Sequence, residues 1–202
     1  MKDRGYKTLV GTSEGFYKEK GSKFISYAYR VQNTAEVKEK VAQLKKQYHD
    51  ARHHCFAFVL EENGQQITRA NDDGEPNHSA GDPILGQIKS FGLENVLVVV
   101  VRYFGGTKLG VSGLIQAYKT AAEHALAEAT TTAVVVRQQI HITYPYDKTN
   151  EVMRLVSEFD IQITEQVFEG ACLISGGILP SRFAQLKAKL AIIQGVELQK
   201  VG

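Results

Sequence analysis

The chain is poor in cysteine and carries almost no excess charge. Its two cysteines, Cys55 and Cys172, lie far apart, and neither belongs to a C-x-x-C pair. Two cysteines form neither a zinc cage nor a disulfide framework, so we expect a protein of the reducing cytosol. The 24 basic and 22 acidic residues leave a net charge of +2. Since dedicated nucleic-acid domains have a clear basic excess, any such role here requires a local patch.

Long hydrophobic stretches are missing too. The longest purely aliphatic run, residues 96–101, is too short to span a bilayer, and the first residues have no apolar core of the signal-peptide type. We therefore expect a cytoplasmic protein without membrane contact. Hydrophobic residues make up 43% of the chain and charged residues 23%, which is ordinary globular usage and excludes a disordered chain.

Hydrophobic periodicity predicts an α+β protein with a first domain over residues 1–132. Asn33 and Glu36 have the spacing of a helix-capping box, and Asn63-Gly64 is typical of a type I′ hairpin turn. Asp82-Pro83 and Gly92 mark the two ends of a short helix. The predicted strands are 6–10, 23–31, 53–61, 65–70 and 95–103, and the predicted helices are 33–49, 82–92 and 114–129.

A second domain is predicted over residues 133–202, where the order of strands and helices is different. Strands are predicted at 134–144, 161–168, 171–178 and 195–201, with helices opened by Asp147 and Pro180. The order is β-α-β-β-α-β, the ferredoxin-like arrangement. Seven basic and seven acidic residues balance in this part, which gives no electrostatic argument for phosphate binding.

The segment RYFGGTKLGVSG at residues 102–113 lies between a buried strand and a helix. Glycines allow sharp turns and bring backbone N–H groups close to a ligand, and a helix N-terminus carries partial positive charge. The segment matches neither G-x-x-x-x-G-K-[ST] nor G-x-G-x-x-G. The alternative is that the glycines only satisfy turn geometry. The predicted anion-binding residues are Arg102, Gly105, Gly106, Lys108 and Gly110.

The stretch DDGEP at residues 72–76 brings three carboxylates together, and they repel one another unless something compensates them. Arg102 is one candidate, and a divalent metal held by Asp72, Asp73 and Glu75 is another. Asp73 and Glu75, together with His54, are also candidate catalytic acids or bases. The alternative is a solvated turn with local backbone bonds. Apart from that metal, we expect no cofactor.

The run His53-His54-Cys55 offers further reactive side chains. Strand alternation places His53 and Cys55 on one face and His54 on the other, so the three cannot ligate one metal. No G-x-S-x-G elbow or other nucleophile signature is present. Two sets of residues have the types that a nucleophile and its base require: Cys55 with His78, and Ser79 with His54 and Asp73.

Taken together, these motifs resemble the IMPACT family, in its bacterial YigZ-like branch. The resemblance covers about residues 15–129, and relatives usually have Ser-Gly-Thr-Ala-Gly where this chain has Asn-His-Ser-Ala-Gly at 77–81. The strings that carry it are HHC at 53–55, DDGEP at 72–76, AG at 80–81, PIL at 83–85, RYFGG at 102–106, KLG at 108–110, SGL at 112–114 and Tyr118.

The resemblance implies a first domain like the second domain of small-subunit ribosomal protein five (S5). The second domain resembles the ferredoxin-like last domain of elongation factor G. Eukaryotic members regulate translation through protein partners and use an additional N-terminal RWD domain. For this reason the partner binding of the eukaryotic members is not carried over to this chain. Because S5-like domains serve several functions, the fold alone does not decide among them.

We therefore expect a translation-linked regulatory binding protein rather than an enzyme. It would contact RNA, the ribosome or a translation factor through the acidic and glycine-bearing loops. The alternatives are an enzyme acting on a small phosphorylated or acylated substrate, and a protein-interaction adaptor anchored by Tyr103 and Phe104. The candidate nucleic-acid-binding residues are Lys18, Lys20, Lys23, Arg102 and Lys108.

Overall fold

The computed structural model describes residues 3–62 and 65–201, which form two compact units. The first unit spans residues 6–134. The second begins at Val135 and includes the first described residues up to Gly5. Both units combine helices with antiparallel sheets, which confirms the predicted α+β class.

The first unit is built on a five-stranded antiparallel sheet in the order β2-β3-β6-β4-β5, and β1 pairs separately with β7. Up to residue 135 the elements are β1 (Gly5–Leu9), β2 (Thr12–Glu19), β3 (Ser22–Arg30), α1 (Thr34–Gln47), β4 (His53–Glu62), β5 (Gln65–Asn71), α2 (Gly81–Ser90), β6 (Val96–Tyr103), α3 (Gly110–Ala127) and β7 (Thr131–Val135).

Helices cover the five-stranded sheet on both faces, which explains the unbroken aliphatic sequence of β6. Helices α2 and α3 pack on one face, and α1 packs on the other. Alanines let α3 approach β2 and β3 closely. A Cβ added at Gly15 would lie 2.4 Å from the backbone nitrogen of Ala125, and Ser26 Oγ donates to the carbonyl of Ala121 at 2.6 Å.

The second unit is a four-stranded antiparallel sheet with two helices. Its elements are β8 (Gln138–Tyr144), α4 (Thr149–Glu158), β9 (Gln162–Glu169), β10 (Ala171–Ile178), α5 (Phe183–Leu190) and β11 (Glu197–Lys200). The spatial order β11-β8-β10-β9 follows from a β-α-β-β-α-β chain, as the ferredoxin-like prediction requires.

Local signals located several element ends correctly. Asn33 Oδ1 accepts from the N–H of Glu36 at 2.9 Å, while Glu36 Oε2 accepts from the N–H of Gln32, so the predicted helix start is confirmed. Gly92 follows α2 with a φ of +64°, as a left-handed helix end requires. The predicted Asn63-Gly64 turn lies outside the described residues.

Five other features of the secondary structure were predicted wrongly. Strand β2 was missed, and the single strand predicted over 134–144 is divided into β7 and β8. Helix α3 begins at Gly110 rather than Leu114, so the last four residues of the glycine-rich segment 102–113 form the first helical turn. Helix α2 begins at Gly81, one residue before the predicted cap Asp82. Asp147 lies in a short three-ten turn before α4 and does not cap that helix.

No helix in the described parts of the chain is both long and apolar enough to cross a membrane.

Candidate functional site

The acidic loop, residues 72–76, connects β5 to α2, and its first carboxylate caps that helix. Asp72 Oδ1 accepts from the N–H groups of Ala80 at 2.9 Å and Gly81 at 2.8 Å, and Oδ2 accepts from the N–H of His78 at 2.9 Å. Burial opposes ionisation of Asp72, but these three backbone donors outweigh it and hold the pKa of Asp72 below its usual value. Asp72 is therefore a helix cap.

The second carboxylate turns toward the α1 face of the sheet. Asp73 Oδ1 accepts from Lys45 Nζ at 2.8 Å, and Oδ2 accepts from the N–H of His54 at 2.7 Å. Burial opposes ionisation, yet the Lys45 ammonium and the His54 N–H lower the pKa of Asp73 overall. The residue has a φ of +41°, and Gly74 follows at +88°, so the chain reverses here before entering the core.

The third carboxylate enters the other face and forms a buried ion pair. Glu75 Oε1 lies 2.6 Å from Arg102 Nη1 and accepts from Tyr118 Oη at 2.7 Å. Glu75 is 8% exposed and Arg102 is 6% exposed. Such a pair requires close geometry because both charges have lost their water. The acidic loop and the end of β6 are thus held against each other by opposite charges, as the sequence predicts.

A buried thiol lies behind this pair. Cys55 Sγ donates to the carbonyl of Asp72 at 3.0 Å and lies 3.3 Å from Tyr118 Oη. Burial raises the pKa of the Cys55 thiol and also that of the Tyr118 hydroxyl. Cys55 is therefore a protonated core residue and does not have the thiolate character that a nucleophile needs.

His54 points away from Cys55, as strand alternation predicts. Its side chain is buried, its Nδ1 is 3.8 Å from Asp73 Oδ2, and its Nε2 has no hydrogen-bond partner among the described residues. Burial lowers the pKa of His54 despite the nearby Asp73, so the imidazole is neutral at physiological pH. His53, on the opposite face, bonds through Nδ1 to the carbonyl of Asp73 at 2.9 Å.

A surface pocket of about 270 Å³ opens where β6 leads into α3, and we call it the Arg102 pocket. Arg102, Glu75, Lys108, Phe104 and Val111 are among its lining residues. The guanidinium of Arg102 lies 5.8 Å from the ring centroid of Phe104. Its Nε is buried and has no hydrogen-bond partner within residues 3–62 and 65–201. The pocket therefore combines a buried cation, an exposed lysine and the first turn of a helix.

Two glycines of the predicted anion site have a different structural role. Gly105 packs on the turn between β2 and β3, where an added Cβ would lie 1.9 Å from the carbonyl carbon of Gly21. The N–H of Gly105 donates to Ser22 Oγ at 3.1 Å, so it is not free for an anion. Gly106, at a φ of +88°, supplies the turn. Of the predicted anion-binding residues, only Arg102, Lys108 and Gly110 line the Arg102 pocket.

The predicted basic residues do not share one surface. Lys18 and Lys23 are directly paired across β2 and β3 and point to the α1 face of the sheet, together with Tyr103. Arg102 points to the α3 face. Lys20, in the β2–β3 turn, lines a depression beside Leu109, which also lines the Arg102 pocket. The cations near the start of α3 are therefore Lys20, Arg102 and Lys108.

The candidate catalysts and metal ligands are separated as well. Asp73 and His54 do not line the Arg102 pocket, whereas Glu75 does. Over the described parts of the chain, no group of three His, Cys, Asp or Glu side chains is arranged to hold a metal ion. In the predicted nucleophile set of Ser79, His54 and Asp73, Ser79 Oγ donates instead to the carbonyl of Pro76 at 2.6 Å. In the predicted set of Cys55 and His78, the exposed His78 pairs instead with Asp82 at 2.6 Å.

Two residues that bond to the carboxylates of the acidic loop were not predicted. Tyr118 was noted only as part of a motif, although a phenol on the buried face of an alanine-rich helix signals a buried acceptor nearby. Lys45 gives no such signal, because it is one of several lysines on α1, and only the fold brings it to Asp73.

Comparison with known proteins gives consistent matches along the chain. Residues 20–126 match the family model described as the Impact N-terminal domain. IMPACT family member YvyE of Bacillus subtilis is 47% identical over 48% of this chain and 44% of its own length. IMPACT family member YigZ of Escherichia coli is 31% identical over 89% of each chain. A crystal structure described as that of a hypothetical protein has a TM-score of 0.74 and 26% identity, and covers 98% of both chains.

Proposed function

The chain belongs to the IMPACT family, and on that premise we propose that it is a translation-linked regulatory protein that binds RNA phosphates at the Arg102 pocket. Family membership supports the translation-related regulatory role, and matches extend to proteins named IMPACT homologues in Schizosaccharomyces pombe and Dictyostelium discoideum. RNA, presented by the ribosome or free in the cytoplasm, is the proposed partner.

One observation carries the choice of an anionic ligand. Arg102 is largely buried, yet among the described residues it is seen to bond only Glu75, and its Nε is unpaired. A buried N–H donor without a partner costs about 1–3 kcal/mol, and a phosphate oxygen that reached the Nε from the pocket would relieve that cost. Arginine suits phosphate because its planar group presents several N–H donors at once.

The surroundings favour the same ligand. Helix α3 starts at Gly110 and has no acidic residue in its first turn and no side-chain cap, so no side chain of the helix itself neutralises its positive end. Lys108 and Lys20 are exposed on either side of Leu109. Exposed lysines contribute mainly through release of counterions from the nucleic acid, which makes the binding sensitive to salt.

The proposal is tested by fluorescence anisotropy with a labelled single-stranded RNA oligomer at several salt concentrations. We expect Lys20→Glu combined with Lys108→Glu to weaken binding by about tenfold or more and to flatten the salt dependence. Lys119→Glu is the control for a single charge reversal, because Lys119 is an exposed lysine that lies on α3 beyond its first turns. Binding that is independent of salt, or an equal loss with Lys119→Glu, would contradict the proposal.

An adaptor function is the second candidate, and exposed apolar side chains favour it. Phe104 is 56% exposed, and Val111 and Ile115 are also exposed one turn apart on α3. Tyr103, the other predicted anchor, is half-buried and donates to Asp50 Oδ1 at 2.7 Å. If Phe104→Ser left RNA affinity unchanged within about twofold but abolished binding to a translation factor, the adaptor would be the better assignment.

A further inference from the structure

A second open surface lies on the α1 face of the five-stranded sheet, opposite the Arg102 pocket. It is a groove of about 680 Å³ between α1 and the hairpin of β4 and β5. Val37 and Val41 of α1, together with Phe56 and Phe58 of β4, form its apolar part. A groove of this volume is within the range of protein ligand sites, which are mostly apolar with a few placed polar groups. We call it the α1 groove.

The charged side chains along the α1 groove are all basic. Lys38 and Lys45 of α1 and Arg69 of β5 line it, and none of the acidic residues that the structure describes does. Lys45 is already paired with Asp73 at one end of the groove. Lys38 and Arg69 are exposed and have no ion-pair partner in residues 3–62 or 65–201. Two unpaired cations beside an apolar surface are complementary to a ligand with both acidic and apolar groups.

We propose that the α1 groove docks an acidic amphipathic segment of a partner protein. The apolar side of the segment covers the valines and phenylalanines, and its carboxylates meet Lys38 and Arg69. This follows the recognition mode in which an amphipathic segment places its apolar side chains in a hydrophobic groove. A carboxylate at the far end competes with Asp73 for Lys45.

The structure favours a peptide over a nucleic acid at this surface. Bases bind by stacking on exposed aromatic faces, but Phe58 is only 6% exposed and Phe56 is half-buried. A second copy of this chain fits poorly, because its densest acidic stretch, residues 72–76, is engaged with its own Lys45, Arg102 and helix α2.

The groove and the Arg102 pocket lie on opposite faces of the sheet, because Phe56 and Phe58 alternate with Cys55 and Ala57 along β4. Peptide docking therefore does not depend on RNA binding, and each can be disrupted separately.

The test uses the full chain and a fluorescent amphipathic peptide with leucines at helical spacing and glutamates between them. A second peptide carries lysines in place of the glutamates. We expect the acidic peptide to bind at least about tenfold more tightly than the basic one, with an affinity that falls as salt is added. The double variant Lys38→Glu with Arg69→Glu should weaken acidic-peptide binding by about tenfold or more. Absence of binding by the acidic peptide at low salt would overturn the proposal.

Two further variants separate docking from general electrostatics. Lys46→Glu reverses one charge, half the change made by the double variant, at an exposed position on α1 that does not line the groove, so it should change affinity by less than about twofold. Ala42→Trp fills the groove from an exposed position on α1 without changing charge, and should reduce binding by about tenfold at every salt concentration. Equal losses in Lys46→Glu and the double variant would overturn the proposal.

Two other outcomes would assign the groove to a different ligand and also overturn it. One is displacement of the bound peptide by a single-stranded RNA oligomer in the Lys20→Glu, Lys108→Glu variant, whose α1 groove is intact. The other is a dimer in sedimentation that is lost in the Lys38→Glu, Arg69→Glu variant.

Discussion

Replacing Arg102 by methionine tests how strongly the buried ion pair holds the acidic loop to the sheet. Glu75 would keep its bond from Tyr118 but would lose its countercharge at a position that is 8% exposed. Removing one partner of a buried pair costs about 3–5 kcal/mol. That is a large fraction of the roughly 5–15 kcal/mol that stabilises a typical domain. We therefore expect Arg102→Met to be among the most destabilising single changes in the first unit.

The measurement must report on the first unit alone, because a two-unit chain need not unfold in a single step. Amide hydrogen exchange of β6 meets this requirement, since its central residues are fully buried. A loss of about 3–5 kcal/mol speeds exchange through global opening by about 10²-fold or more.

Glu75→Gln added to Arg102→Met provides the internal control. It removes the uncompensated charge of Glu75, while the side-chain amide oxygen still accepts from Tyr118. The double variant should therefore be more stable than Arg102→Met alone. A loss of less than about 1 kcal/mol in Arg102→Met, or a double variant less stable than the single one, would refute the reasoning about the pair.

Three other predictions follow from the same structure. The pKa of Asp72 in the folded chain is lowered from 3.8. Its contribution to the stability of the folded chain is therefore complete above pH 3.8 and is lost as pH falls through the folded pKa. Asp72→Asn should cost about 0.5–2 kcal/mol near pH 7 and make urea unfolding less sensitive to acid than in the wild type. Gly105→Ala should destabilise the chain by about 1–3 kcal/mol in thermal unfolding, because its Cβ would meet the backbone at Gly21, whereas Gly86→Ala in α2 has open space and should be neutral or stabilising. The Cys55 thiol, with a pKa raised by burial, should react with a thiol reagent only after unfolding, and rapid labelling of Cys55 in the native chain would contradict its assignment to the core.

Sequence patterns predicted those helices and strands whose own residues carry the pattern. The aliphatic run of β6 and the cap at Asn33 are such local signals, and both are confirmed. Strand β2 was missed because Gly15 lies at its centre, and glycine weakens strand propensity. The glycine is there because α3 passes within 2.4 Å of where a Cβ would be. That requirement comes from a helix more than a hundred residues away, which no local pattern contains.

The same distinction explains which parts of the candidate site were predictable. Three clustered carboxylates require compensation, so an ion pair with Arg102 could be inferred from charge alone, and Glu75 forms it. The sequence could not show that Asp72 and Asp73 are compensated separately, by the start of α2 and by Lys45. The position of Gly105 before a helix predicts an anion donor, yet Gly105 packs against Gly21. Two glycines distant in sequence reveal such a contact only in the fold. The ligand-binding potential of the glycine-bearing loop therefore rests on Arg102, a buried charged group whose Nε has no hydrogen-bond partner among the described residues.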